Sequence, residues 1–203
     1  GVRDAELMSL FWLAPLMILA LAGSGLRERI GWRSWLVVAV AYAATIVALE
    51  PHSVPSWPAS LAPIVMGFTF AAYVVMTRSL RSETTRANLF YTAVGVFVLL
   101  TPVMPAVWVP PTGADFAVLV AVGLLGWVGL WVLDRMAGAG PVSVSAPFAF
   151  AQIPVLLVIG WVAQGDRPDR RGLAGSLLIA ALLGWLWVRS RASKDGVTVE
   201  RAA

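Results

Sequence analysis

GDRPDRRGLAGSLL, residues 165–178, sets two aspartates and three arginines in seven residues and then turns fully apolar. GLRERIGWRSWLVV, residues 25–38, makes the same transition earlier in the chain: acid, arginines, then an apolar helix. Two such transitions in 203 residues raise the question of whether the chain contains a repeat. The surrounding composition decides in which solvent that repeat would fold.

Hydrophobic residues make up 59% of the chain and charged residues 13%, with mean hydropathy +0.81. Soluble domains run near 45–50% apolar and about 25% charged, so this chain lies outside that class. Ten tryptophans and eighteen glycines suit helices that pack closely in lipid and anchor at its interfaces. The absence of cysteine excludes disulfides and thiolate metal sites, and one histidine, His52, cannot build a metal site alone. A pI near 10.3 is compatible with nucleic-acid binding, but the basic residues lie in short clusters between apolar runs. That is the pattern of membrane-protein loops, so nucleic acid is rejected as a partner and the lipid bilayer takes its place.

A membrane-spanning helix needs about 20 mostly apolar residues. Seven segments meet that length: 7–23, 32–49, 59–76, 87–108, 116–133, 142–163 and 172–188. No segment alternates with period two, which argues against a barrel. The expected fold is all-α, a polytopic membrane helical bundle with seven spans and a polar, mobile tail over 189–203. The chain opens at Gly1 with no signal-peptide pattern.

If the 24–31 loop is cytoplasmic, Arg27, Arg29, Arg33, Arg78, Arg81, Arg86, Arg135, Arg189, Arg191, Lys194 and Arg201 lie inside. Arg3, Arg167, Arg170 and Arg171 lie outside. Eleven against four predicts a cytoplasmic C-terminus. The exception is the opening stretch, whose arginines lie outside, mixed with Asp166 and Asp169. Setting Glu28 on Asp166 puts Arg29 on Arg167, Trp35 on Leu173 and Val37 on Gly175, and Pro15 falls one residue from Pro154. The first two spans then repeat as the last two. Three spans intervene, and an odd number inverts the second copy, an arrangement common in secondary transporters. A two-fold axis in the membrane plane is expected to superpose them. Glu28 and Asp166 are expected as solvated loop charges that cap the second and seventh spans.

ERIGWRSWLVVAVAYAATIVAL (28–49), GFTFAAYVVMTRSLR (67–81), APFAFAQ (146–152) and GDRPDRRGLAGSLLIAALLG (165–184) together resemble the drug/metabolite transporter superfamily, EamA type. The match is nearest a branch of S-adenosylmethionine and riboflavin uptake carriers and metallophore exporters. The chain departs from the family pattern at three places: Arg27 precedes Glu28 where glycine is usual, Leu130 stands where that branch carries histidine, and Asp134 replaces an apolar residue. The resemblance implies ten helices in two inverted five-helix repeats. Residues 1–50 would be the last two helices of the first repeat, 51–57 a loop, 58–188 the second repeat and 189–203 a cytoplasmic tail. The first three helices have no counterpart, so the chain is expected to be a fragment.

Carriers bind substrate near the bilayer midplane, where ionisable groups are costly and mark function. No ionisable group falls mid-span here, and Asp134 and Arg135 are expected at a water-exposed helix end. Coupling to a proton or cation is therefore left open against facilitated diffusion. The candidate substrate-binding residues are polar and aromatic. Ser145, Phe148 and Gln152 share a face at i, i+3 and i+7 of an α-helix, with Pro147 and Pro154 on either side of Gln152. Thr69 and Tyr73 share another face, Trp127 and Trp131 a third, and Trp12 lies near Pro15. Tyr73 and Trp131 are expected across a central cavity from Gln152. For Gln152 the alternative is an interhelical hydrogen bond, and for the aromatics packing or an interface belt. Such a cavity suits a planar or zwitterionic small molecule better than a polyanion.

The expected function is a secondary transporter of a small organic metabolite (amino-acid-, nucleoside- or vitamin-like) across the inner membrane by alternating access. No cofactor and no enzymatic activity are expected, because the spans lack clustered His, Asp or Glu. The alternative is a non-transporting membrane scaffold or assembly subunit. A retinal protein is excluded, since the only lysine, Lys194, lies in the tail.

Overall fold

A computed structural model describes residues 4–51, 53, 56–165 and 167–200. His52 and Asp166 lie outside the described residues, and no strand occurs among those described. The helices are α1 (Asp4–Phe11), α2 (Ala14–Gly25), α3 (Trp32–Leu49), α4 (Trp57–Ser79), α5 (Thr85–Leu100), α6 (Met104–Val107) and α7 (Gly113–Ala139). They continue with α8 (Val142–Ser145), a 3-10 turn (Ala146–Ala151), α9 (Gln152–Ile159), a π turn (Gly160–Gln164) and α10 (Arg170–Glu200).

Among the described residues six helical runs are long and apolar enough to cross a membrane: Ala5–Gly25, Trp32–Leu49, Trp57–Ser79, Gly113–Ala139, Val142–Ala163 and Arg170–Arg189. The chain is a multi-pass membrane protein. The seventh expected span, 87–108, is not one continuous helix. It breaks at 101–103 between α5 and α6, leaving α5 at 16 residues. Pro102 has no N–H and its ring clashes with the carbonyl four residues back, and Pro105 then starts α6. The tail expected from Arg189 onward instead continues α10 to Glu200. No proline interrupts it.

Two compact units divide the chain. The first takes the described residues of 1–72 and 142–203, the second residues 73–141. Phe150, Leu19, Val38, Ala41 and Ile179 are fully buried in the first unit. Its central contact is α3 against α10, where small residues let the backbones approach. A Cβ added at Gly175 would sit 2.5 Å from the Ala44 carbonyl oxygen and 2.7 Å from Ala48 Cβ and N.

The break between α1 and α2 at Trp12–Leu13 has the same cause as that after α5. Pro15 has no N–H for the Phe11 carbonyl. That carbonyl faces Gly67 of α4, where an added Cβ would lie at 3.1 Å, so α4 packs against the kink.

In the second unit α5 packs on α7. Thr84 caps α5 by accepting from Ala87 N, and Thr112 and Asp115 form a capping box at the start of α7.

Candidate functional site

The 142–164 run carries three of the expected site residues, and its backbone changes their relation. Three residues per turn through Ala146–Ala151 keep Ser145 and Phe148 in line but turn Gln152 about 100° from them. The shared face drawn from an α-helical period does not hold across a 3-10 segment. Ser145 Oγ donates to the Val142 carbonyl at 3.2 Å. Phe148 lines a cleft with α3 and α10, whereas Gln152 is exposed in the first unit. Thr69 is exposed on α4, and its hydroxyl donates to the Val65 and Met66 carbonyls at 2.9 and 3.0 Å. Trp12 is 4% exposed and stacks on Phe150, with ring centroids 5.7 Å apart at 29°.

Two clefts open at opposite ends of the α3–α10 contact. The larger, about 810 Å3, lies where α3 begins and is lined by Trp32, Arg33, Val37, Phe148, Leu182 and Trp185 among others. The smaller, about 460 Å3, lies where α3 ends and takes in Met8, Trp12, Ala48, Trp161, Arg167 and Asp169. Ser176 also lines it. Its buried hydroxyl has no hydrogen-bond partner among the described residues. An unsatisfied buried hydroxyl facing a cleft is a donor and acceptor available to a ligand.

Glu28 does not cap the helix that follows it. Arg27 holds φ +53°, in the left-handed region, and turns the chain so that Glu28 N donates back to the Ala22 carbonyl at 3.2 Å. The Glu28 carboxylate then accepts from Val142 N at 3.2 Å and Ser143 N at 3.4 Å, which caps α8. The N-cap of α3, Gly31, makes no side-chain bond. At the start of α10 the cap is Asp169, whose Oδ1 accepts from Gly172 N at 2.9 Å. Arg171 forms an ion pair with Glu50, which itself ends α3 in the left-handed region at φ +46°.

Two buried acids were not legible as such. Glu6, 5% exposed, lies inside the first span because α1 begins at Asp4, and Ser53 Oγ donates to its carboxylate at 2.5 Å. Tyr42 Oη donates to the Ser9 carbonyl at 3.3 Å nearby. Asp134, expected to meet water, is 7% exposed in the second unit and accepts from Asn88 Nδ2 at 2.9 Å. Arg78 Nη1 donates to the Ala137 and Gly138 carbonyls at 2.9 and 3.1 Å, which closes the same end of α7. Arg135, as expected, is exposed, with its guanidinium over Trp131 at 5.5 Å. Trp131 and Trp127 are exposed on α7, and Tyr73 lines a cleft of about 470 Å3 with Thr77, Asn88 and Thr92. No cluster of three His, Cys, Asp or Glu able to hold a metal occurs among the described residues.

Neither a protein-family model nor a solved structure matches the chain. Among curated proteins it is similar to the S-adenosylmethionine uptake transporter of Rickettsia felis, with 26% identity over 166 residues, covering 81% of this chain and 56% of that protein. The riboflavin transporter of Vibrio cholerae is 25% identical over 198 residues, covering 93% of this chain and 65% of that protein. The riboflavin transporter of Rhizobium johnstonii is 28% identical over 187 residues, 88% of this chain and 58% of its own length. The chain therefore spans somewhat more than half the length of these relatives, all of which are named as transporters, and its similarity to them runs through most of its helices.

Proposed function

We propose that the chain belongs to the EamA type of the drug/metabolite transporter superfamily and moves a small organic metabolite through the inner membrane by alternating access. The observation that carries this reading is similarity over 81–93% of the chain to an S-adenosylmethionine uptake transporter and a riboflavin transporter. Both compounds join a planar ring system to polar groups, so the substrate is a molecule of that class. Trp12, which lines the smaller cleft at the α1–α2 break, and the exposed amide of Gln152, at the start of α9, are the contacts we assign to it. Discontinuous helices are where secondary transporters build their sites.

The inverted repeat is part of this proposal, and contacts within the first unit support it. The register that sets Glu28 on Asp166 also sets Trp12 on Phe150, and these two rings stack on each other. At a two-fold axis equivalent residues meet, and any contact i–j recurs as j–i. The same register relates Gly175 against Ala44 to Val37 beside Leu182, which share the larger cleft. It sets the Trp12–Leu13 break on the last residues of the 3-10 turn. The two clefts then lie at equivalent ends of the α3–α10 pair, with Ser34 set on Gly172 and Ala48 on Leu186 in their linings. On this reading the C-terminus lies in the cytoplasm.

The test is uptake of labelled S-adenosylmethionine and labelled riboflavin into proteoliposomes holding the protein. Saturable uptake of either, competed by the unlabelled compound, supports the reading. Uptake equal to protein-free vesicles for a panel of ring-bearing metabolites would favour a scaffold. For topology, a cysteine at Arg170 reacts with an impermeant thiol reagent outside intact cells and one at Ser193 does not. The opposite labelling contradicts the orientation.

A further inference from the structure

The larger cleft of the first unit carries charge of one sign. Arg33 on α3 and Arg189 on α10 both line it, and no acidic residue does among the described residues. Its remaining wall is apolar, with Leu36, Val40, Leu182 and Leu186 following α3 and α10 away from the arginines. From Arg33 to Val40 that wall runs about 10 Å along the helix. The smaller cleft differs: there Asp169 accompanies Arg167. The guanidinium of Arg33 lies over the Trp32 ring at 5.9 Å and that of Arg189 over the Trp185 ring at 5.3 Å. Both rings are exposed, as tryptophans at a membrane–water boundary are. The N-terminal end of α3 adds its positive dipole end, with no side chain capping it.

The geometry points to a binding site for an anionic glycerophospholipid. Two guanidinium groups and the α3 N-terminus take the phosphodiester, the tryptophans sit at the level of the glycerol, and an acyl chain lies along the leucines and valine. Basic pockets between spanning helices hold anionic headgroups in this way. In a membrane-spanning chain an apolar cleft of about 810 Å3 has room for lipid tails, and the two cations set which headgroup comes with them. The site does not depend on what the protein carries.

Native mass spectrometry of the protein taken from micelles with equal phosphatidylglycerol and phosphatidylcholine reads this directly. The wild type should retain phosphatidylglycerol several-fold over phosphatidylcholine. Arg33→Gln with Arg189→Gln should bring the ratio near one while helical circular dichroism is unchanged. Excess inorganic phosphate should not release the lipid, because the tails hold it. Equal retention in the wild type, an unchanged preference in the double variant or release by phosphate overturns the site. Should the double variant misfold, photoactivatable phosphatidylglycerol added to the wild type decides. Crosslinks concentrated in 32–40 and 182–189 are expected, and labelling spread evenly over the spans contradicts the proposal.

Discussion

Gly175→Ala should destabilise the protein, although it replaces glycine by the best helix former. The added Cβ would meet Ala44 O at 2.5 Å and Ala48 Cβ and N at 2.7 Å. Real Cβ atoms do not approach that closely, and backbone atoms cannot swing aside. The α3 and α10 axes must therefore separate, and contacts along the pair, Val38 and Ile179 among them, loosen. Overpacking of this kind costs about 1–3 kcal/mol. Gly184→Ala, on the same helix, is the matched control, because nothing lies within 4 Å of its added Cβ. Both changes gain a similar helix propensity, up to about 1 kcal/mol. The difference between the two variants therefore isolates the packing cost. At roughly 2–4 °C per kcal/mol for a chain of this size, Gly175→Ala should melt about 2–12 °C below Gly184→Ala in detergent. Equal melting temperatures, or a higher one for Gly175→Ala, would refute the close approach of α3 and α10.

Arg27→Gly should raise Tm, since the left-handed conformation at φ +53° costs a non-glycine residue about 1–2 kcal/mol; an unchanged or lower Tm contradicts that account. Asn88→Ala should cost about 1–3 kcal/mol by removing the amide that serves buried Asp134, and adding Asp134→Leu should recover part of the loss. If the double variant is no more stable than Asn88→Ala alone, the pair is not coupled. Gln152→Ala should lower transport while leaving Tm and folded yield nearly unchanged, because Gln152 is exposed within its unit. Unchanged transport per folded molecule removes it from the site.

Hydropathy reads six spans, five of them within three residues at each end, because length and apolarity are local properties. The break after α5 was legible in principle, since Pro102 and Pro105 stand three apart in 87–108. Apolarity continues through them, so a hydropathy window sees one segment. The buried acids were not legible. Glu6 is buried by Ser53 and Asp134 by Asn88, each more than 40 residues away, and no local pattern encodes such pairing. Glu28 caps a helix, as an acid just before an apolar run suggests, but the helix is α8 and not α3. The left-handed Arg27 aims it at Val142 rather than at α3, and the glycine usual in the resembling family was the available sign of that backbone. Gln152 lies off the face of Phe148 because 3.6 residues per turn does not hold through the 3-10 turn that starts at Ala146–Pro147.

Counterflow tests alternating access most directly. Proteoliposomes loaded with unlabelled substrate, S-adenosylmethionine or riboflavin, are diluted into a trace of the same labelled compound. A carrier whose site faces one side at a time concentrates label inside transiently, above the level in unloaded vesicles. Label that only equilibrates, at the same rate in loaded and unloaded vesicles, would contradict a carrier and leave a pore or an inert scaffold.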